Sequence, residues 1–562
     1  MPTLEEIIRK HVLKNAYDYG KANPGAVAGK VIAEYPDAKE DMKSAMAQIN
    51  KSVREVSMLS KEEIGKEMES FTYAQRKEEK KGIELPEAEK GKVVTRFPPE
   101  PAGFPHIGHA KAAWLDYSAA EAYGGKMVLR FDDTNPAKAS FEYVSAIKEG
   151  LEWLGIGWAE ETFTSDRMPE IYRFAARLIE TNYAYVCTCT QEQVSQGRTD
   201  GKPCACRKKG WGEHLRLWNQ MLENTFKEGE AILRFKGDLE SLNTVMRDPA
   251  LARIIEKKHY KQNSKYRVWP GYDLAVAVMD HLEGITHPMR TKEYELRNEL
   301  YYAIFDALNF KRPVLIEFAR LSIKNAPVGK RLIRPLVEDG KVMGWDDPRL
   351  PTLAGLKRRG LLPEAIKKFV LSFGLSKVES EPDWEALLSE NRKLLDSQAD
   401  HYFFVENPVK IVIKGLERQK AKLKLHPKQD KGFRELEVTD TLFISKTDAE
   451  ALEDGEIFRL KDLCNAKLLK KGKTLEAEFA GDELVPKKLQ WVPEKHLECE
   501  VLKPGDLLDE KGEYNPKSLE KIKGFSEISC KGLKEGDIIQ FERFGFCRLD
   551  KSGEKLEFIF SC

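Results

Sequence analysis

Three groups of residues in this chain carry chemistry by type and spacing. In TRFPPEPAGFPHIGHAKAAW (95–114), a strand runs into a Pro-rich turn and His106-Ile-Gly-His109 opens a helix. A helix N-terminus offers unpaired backbone N–H groups and a positive dipole end, so it suits a phosphate. The two imidazoles add donors, and Gly108 lets a base approach where a Cβ would intrude. In LRFDDTNP (129–136), Asp132 and Asp133 close an apolar strand. Ligands of open α/β sheets bind beyond the carboxyl ends of the strands, where a carboxylate holds an ammonium or merely forms a turn. Finally, Cys187-x-Cys189 and Cys204-x-Cys206, with fourteen residues between the pairs, offer four thiolates to one tetrahedral Zn²⁺. Reduced, packed cysteines are the other reading.

These residues need elements to hold them. VVTRF (93–97) and MVLRF (127–131) flank a helical stretch around Ala110 to Ala122, and such strand-helix-strand alternation predicts a parallel sheet. Upstream, Thr3-x-x-Glu6 reads as a capping box before Leu4, Ile7, Ile8 and Val12 on one helical face. Helical signals continue to about residue 75, and the charged stretch over about 76–92 reads as a linker. Downstream, Leu362 to Phe373 is helical, with Pro363 in its first turn and Gly374 as its stop. Beyond residue 401, short β-type runs such as VKIVI, ELEVT and TLFIS predict one or two β-barrels.

The 562 residues suit several domains. Hydrophobic residues make up 41% and charged ones 33%, enough for a sizeable core under a solvated surface. The formal net charge of +1 supplies no overall field toward nucleic acid or lipid, so an RNA surface has to be local. Residues 414–434 concentrate eight Lys or Arg in twenty-one positions and offer such a patch. No run of 18 apolar residues and no signal peptide are visible, and nine cysteines do not pair off. The expectation is a cytoplasmic protein with reduced thiols and no membrane partner.

The block at 95–114 resembles the HIGH signature of class I aminoacyl-tRNA synthetases, and its RFPPEPxGxxHIGHAKA form is similar to the glutamyl/glutaminyl branch. The resemblance covers about residues 91–562. It implies a multidomain α/β plus all-β chain: a Rossmann catalytic core (91–166 and 272–322) split by an acceptor-stem insertion (167–271), a KMSKS-type loop with a helical subdomain (323–400), and a double β-barrel for the anticodon (401–562). A helical N-terminal domain and linker (1–90) precede them, with a protein or tRNA as its contact. The zinc, if bound, is structural, since the cysteine pairs sit in the insertion and leave no open coordination position.

By the same resemblance, Pro327-Val328-Gly329-Lys330-Arg331 stands at the second signature. There Pro and Val replace the first Lys and Met, Lys330 is the surviving cation beside Arg331, and Lys324 lies six residues upstream. His106, Gly108, His109, Lys330 and Arg331 are then expected on ATP with Mg²⁺. Asp132 and Tyr272 are expected on the amino group of the amino acid. Arg290 falls where the glutaminyl enzymes carry a small neutral residue and the glutamyl enzymes an arginine. Its guanidinium can fork onto a γ-carboxylate, with Arg96 adding a contact, whereas a carboxamide would turn a donor against it. A surface ion pair with Glu293 or Glu295 is the alternative. This implies ATP-dependent joining of L-glutamate to the terminal adenosine of the glutamate tRNA, with the glutamine tRNA left open. A glutaminyl enzyme is one rival; a non-catalytic tRNA-binding assembly protein is another.

Overall fold

Thr3 and Glu6 close the expected capping box, each side chain accepting from the other residue's N–H, and so begin helix α1 (Leu4–Tyr19). With α2 (Pro24–Glu34), α3 (Met42–Val56) and α4 (Lys61–Met68) it buries Ile7, Ile8, Val12 and Leu13 against Val27, Val31, Ile49 and Ile64. An apolar stripe packed in this way stabilises helices too short to persist alone. This computed structural model describes residues 3–20, 22–39, 41–68, 70–71 and 83–562, and the chain divides into two units, Met1–Lys81 and Gly82–Cys562. Of the linker expected over 76–92, residues 76–82 lie outside the described residues. The rest belongs to the second unit: Leu85 is buried beside Val93 and Leu115, and its N–H donates to the Tyr123 hydroxyl.

In that unit β1 (Val94–Phe97), α5 (Ile107–Ala122), β2 (Lys126–Phe131), α6 (Phe141–Trp153) and β3 (Glu160–Phe163) alternate, and the strands pair in parallel in the order β1-β2-β3. Parallel neighbours need a crossover, which the helices supply. The chain then leaves the sheet through α7 (Met168–Glu180), β4 (Ala184–Cys187), α8 (Gln191–Asp200), α9 (Trp211–Leu222), β5 (Ile232–Phe235), β6 (Ala250–Ile254) and β7 (Val268–Pro270). Its four strands form an antiparallel sheet over a separate apolar core. It returns through α10 (Tyr272–Leu282), β8 (Met289–Thr291), α11 (Asn298–Ala307) and β9 (Ile316–Phe318). The N–H groups of Thr286 and His287, just before β8, donate to the Val94 carbonyl and join this second parallel pair to β1.

Helices α12 (Lys330–Glu338), α13 (Leu353–Arg358), α14 (Pro363–Leu371) and α15 (Trp384–Leu395) follow; α14 begins on Pro363 as its sequence indicates. Two seven-stranded mixed sheets complete the chain. Asp400–Tyr402 and Phe404–Glu406 belong to the sheet that also holds His496–Pro504 through Leu556–Phe560, Val409–Lys414 with Thr441–Ile444 through Val492–Pro493 form the other, and Gln419–Lys424 pairs with Phe433–Val438 as a separate two-stranded ribbon. The chain thus enters one barrel, builds the second, and returns to finish the first. Among the described residues no helix is long and apolar enough to cross a membrane.

Candidate active site

The two signature histidines cap their own helix. His106 is the N-cap of α5 and its Nδ1 accepts from the Gly108 N–H at 3.1 Å; His109, at N3, accepts on Nδ1 from the His106 N–H at 3.2 Å. This is a capping box built from imidazoles. A ring nitrogen that accepts does not carry the proton, so each neutral ring bears it on Nε2 and keeps one donor for a ligand. Burial, with His109 and Arg320 nearby, holds His106 well below its ordinary pKa, and burial takes His109 down to about 4. Both are neutral donors at pH 7. A Cβ at Gly108 would stand 3.0 Å from His106 Cε1 and 3.3 Å from the Leu321 carbonyl. The capping ring therefore requires this glycine before any ligand does.

His106 and His109 line a cleft of about 660 Å³ together with Lys330 and Arg331, so the fold unites the two signature segments. Gly329, at φ +88°, makes the left-handed turn that starts α12 on Lys330. The Lys330 ammonium lies 4.6 Å from the Tyr143 ring centroid. Lys324 is exposed, its backbone tied to the Pro382 carbonyl, and it does not line the cleft. Lys138 does, as a cation that sequence reasoning did not single out.

Arg96 is 1% exposed, its Nε 3.2 Å from Asp280 and its Nη1 donating to the Met289 carbonyl at 2.5 Å. Arg130 on the neighbouring strand binds the same Asp280 oxygen and lies 3.3 Å from Glu283, and the Tyr301 hydroxyl donates to Asp280 at 2.8 Å. Burial would raise the Asp280 pKa, but Arg96 and Arg130 hold it below the usual carboxylate value. This buried network was missed in the sequence. Its only sign there is the repeated Arg-Phe closing both VVTRF and MVLRF, a charge in an apolar strand that demands a buried partner.

Arg290, on β8, is 6% exposed; its Nη2 donates to Asn298, its guanidinium lies 5.1 Å from the Tyr301 ring centroid, and its Nε is buried without a partner. Glu293 and Glu295 pair with Arg320 and Lys377 instead, so the surface ion pair is not what the fold builds. Tyr272 begins α10. Burial raises its pKa against the pull of Arg290 and Arg96, which places its hydroxyl in their field. Its ring is 4.7 Å from that of Tyr294, whose own surroundings include Asp132 and Glu100. Tyr272 thus lies in the field of Arg290, and Tyr294, in ring contact with it, in the field of Asp132. The adjacent aspartates differ: Asp133 is spent on the Ser165 N–H and hydroxyl and on the Tyr260 hydroxyl, while Asp132 accepts from the Thr134 hydroxyl at 3.0 Å.

Away from the cleft, the sulfurs of Cys187, Cys189, Cys204 and Cys206 lie within 4.8 Å of one another, Cys187 to Cys204 at 3.9 Å and Cys189 to Cys206 at 3.8 Å. A tetrahedron with Zn–S of about 2.3 Å has S···S edges of about 3.8 Å, so the four thiols fit zinc. The basic run fares differently. Lys414, Arg418, Lys420, Lys428, Lys431 and Arg434 pair with Glu476, Glu437, Glu435, Asp396, Asp400 and Glu527. Among the described residues only Lys422 and Lys424 of that run lack an acidic partner, so its field is weaker than its composition suggests.

A cleft at the start of a signature helix, in a parallel-stranded fold interrupted by an inserted domain, has the arrangement of a class I aminoacyl-tRNA synthetase. Family models agree: residues 92–397 match "tRNA synthetases class I (E and Q), catalytic domain", and 399–480 and 488–550 match its two anti-codon binding domains. The glutamate–tRNA ligase of Nitrosopumilus maritimus is 45% identical over 98% of both chains, and that of Pyrococcus furiosus 40% identical over 98% of this chain and 97% of its own. Among solved structures, a glutamate tRNA ligase from Elizabethkingia meningosepticum in complex with its amino acid is 22% identical over 55% of this chain and 70% of its own, with a TM-score of 0.42. The chain belongs to the glutamate–tRNA ligases, of archaeal type.

Proposed function

We propose that the chain activates L-glutamate with ATP and transfers it to the glutamate tRNA, with Arg290 as the group that selects glutamate. The observation that carries this is a buried guanidinium whose Nε–H has no partner, with the Tyr272 hydroxyl in its field. A γ-carboxylate would satisfy that donor and gain a charge-assisted bond; a carboxamide would lose the charge and set a donor against it. Tyr272 adds a hydroxyl beside Arg290, and Asp132 takes the α-ammonium. Arg96, committed to Asp280 and Met289, acts chiefly by holding this wall and its field.

With glutamate so oriented, its α-carboxylate oxygen attacks the α-phosphorus of ATP and pyrophosphate leaves. His106 and His109 donate from Nε2 to phosphate oxygens, Gly108 leaves the helix start open, and Lys330 and Arg331 add charge as the transition state forms. Mg²⁺, when bound, would supply charge neutralisation to the phosphates. Among the described residues, Glu100 and Glu338 are the carboxylates that line the cleft and would face the ion there. The terminal adenosine of the tRNA then takes the glutamyl group from the adenylate. The domain limits set out above, a structural zinc on the four cysteines, the glutamine tRNA as a second acceptor, an N-terminal contact with tRNA or protein, and a cytoplasmic location belong to the same reading.

The test is ATP-dependent attachment of labelled glutamate, and separately glutamine, to tRNA. Arg290→Gln should lower kcat/KM for glutamate by about 10- to 100-fold, and Lys330→Ala should lower kcat by about 100-fold. Full glutamate selectivity in the Arg290 variant would remove the specificity assignment.

A further inference from the structure

Arg290 and Glu317 are register partners on the parallel pair β8–β9, and both are buried. Side chains so paired leave the same face of the sheet. A guanidinium and a carboxylate placed this way attract each other strongly, since little water screens them. Yet they do not close on one another. Asn298, the first residue of α11, comes between: its Oδ1 accepts from Arg290 Nη2, and its Nδ2 donates to Glu317 Oε1 at 2.8 Å. A carboxamide offers one acceptor and one donor end, so it can satisfy a cation and an anion at once while carrying no charge itself.

Each acid near Arg290 has a cation of its own. The second oxygen of Glu317 accepts from Lys377 Nζ, which also binds Glu295 at 3.1 Å. Asp273, in the first turn of α10, pairs with Arg297, the residue before Asn298. Burial raises the Asp273 pKa, while Arg297 and then Arg290 pull it back, so this carboxylate stands in the field of Arg290 without binding it. Arg290 also lies over the Tyr301 ring, a contact that leaves its charge uncancelled, and its Nε–H stays unspent.

We propose that Asn298 is the positioning residue that keeps Arg290 available to the γ-carboxylate of glutamate, standing between the guanidinium and Glu317 while Lys377 and Arg297 neutralise the two neighbouring acids. Without that arrangement the selecting cation would be paired inside the protein before any substrate arrived. The amide takes one N–H from Arg290 and none of its charge, and it fixes the guanidinium through Nη2, leaving Nε free. The inference rests on Arg290 being the group that selects glutamate.

The experiment measures KM and kcat separately for attachment of glutamate to tRNA by the full-length protein, and repeats the assay with glutamine. Asn298→Asp, of nearly the same shape, puts a carboxylate on Arg290. It should raise KM for glutamate by about 10- to 100-fold, hold kcat within about twofold, and lower the preference for glutamate over glutamine. In an Arg290→Gln background the same change should add less than about twofold, because it acts through the arginine. Lys377→Met, at a half-exposed site, frees Glu317 toward Arg290 and should raise the same KM by about threefold. Adding Glu317→Gln should restore it, since the competing charge is then gone. A KM that rises equally with and without Arg290, or does not rise in Asn298→Asp, overturns the positioning role, as does failure of Glu317→Gln to restore Lys377→Met. Full glutamate selectivity in Arg290→Gln alone would instead overturn the specificity assignment, and this inference with it.

Discussion

An imidazole that caps its own helix is committed before any ligand arrives. With Nδ1 accepting from backbone, His106 and His109 face the cleft as neutral Nε2–H donors, and its positive charge comes from Lys330 and its neighbours. Two signature histidines thus contribute direction, and the lysine contributes charge. The same burial links them to pH. The folded pKa of His109, about 4, lies below its ordinary 6.5, so between those values the unfolded chain binds more protons and stability rises with pH. Stability present at neutral pH is therefore lost as pH falls through that window. Denaturant unfolding should show a loss of about 1–2 kcal/mol from this residue between pH 7 and pH 5, absent in His109→Gln. An equal loss in both proteins would show that His109 is not held neutral by the fold.

At the scale of elements, the local signals were legible and the distant partners were not. The capping box at Thr3, the alternation around the HIGH helix and the Pro363 start of α14 each depend on neighbours in sequence, and the fold keeps them. Arg96 and Arg130 find their common acid, Asp280, 184 and 150 residues away, which no local pattern can reveal. The basic run misleads for the same reason: Lys420 meets Glu435 and Arg418 meets Glu437 only once Gln419–Lys424 pairs with Phe433–Val438. The cysteine pairs were ambiguous on spacing alone, and the fold brings the end of β4 against the turn holding Cys204 and Cys206, where the four sulfurs could hold one metal ion. Zinc bound there would tie β4 to the turn after α8, away from the cleft lined by His106 and Lys330. Chelation, or Cys204→Ser, should release one zinc per chain and lower the melting temperature, while KM for ATP stays within about twofold, as expected of a purely structural site. Zinc-free protein with unchanged melting would make the cluster an ordinary set of thiols.

Over the whole second unit, the barrels are not an appendage to the catalytic domain. The segment between His496–Pro504 and Leu519–Glu527 reaches back to the second signature: Leu507 is buried with Ile333 of α12, Val342 and Leu350, and the Leu508 N–H donates to the Asn325 carbonyl at 3.2 Å. Asn325 Nδ2 donates to Asp506, Arg349 to the Ser518 hydroxyl, and the Tyr514 hydroxyl to the Lys341 carbonyl. A helix of nine residues with a proline inside it has little stability of its own, so α12, and Lys330 at its start, depend on this contact. A cavity of about 740 Å³ between Asn325–Val328 and Leu508–Gly512 leaves the loop room to shift if the contact loosens. Leu507→Ala removes a fully buried side chain, at a cost of about 2–5 kcal/mol, and the loss should fall on α12 rather than on the barrel core. Amide hydrogen exchange should quicken across 330–342 and stay slow in α5, and kcat for adenylate formation should drop while KM for glutamate holds, because Arg290 and Asp132 lie on other elements. If exchange in α12 stays as slow as in the unaltered protein, the barrel merely rests against the signature helix and Lys330 is positioned by the catalytic domain alone.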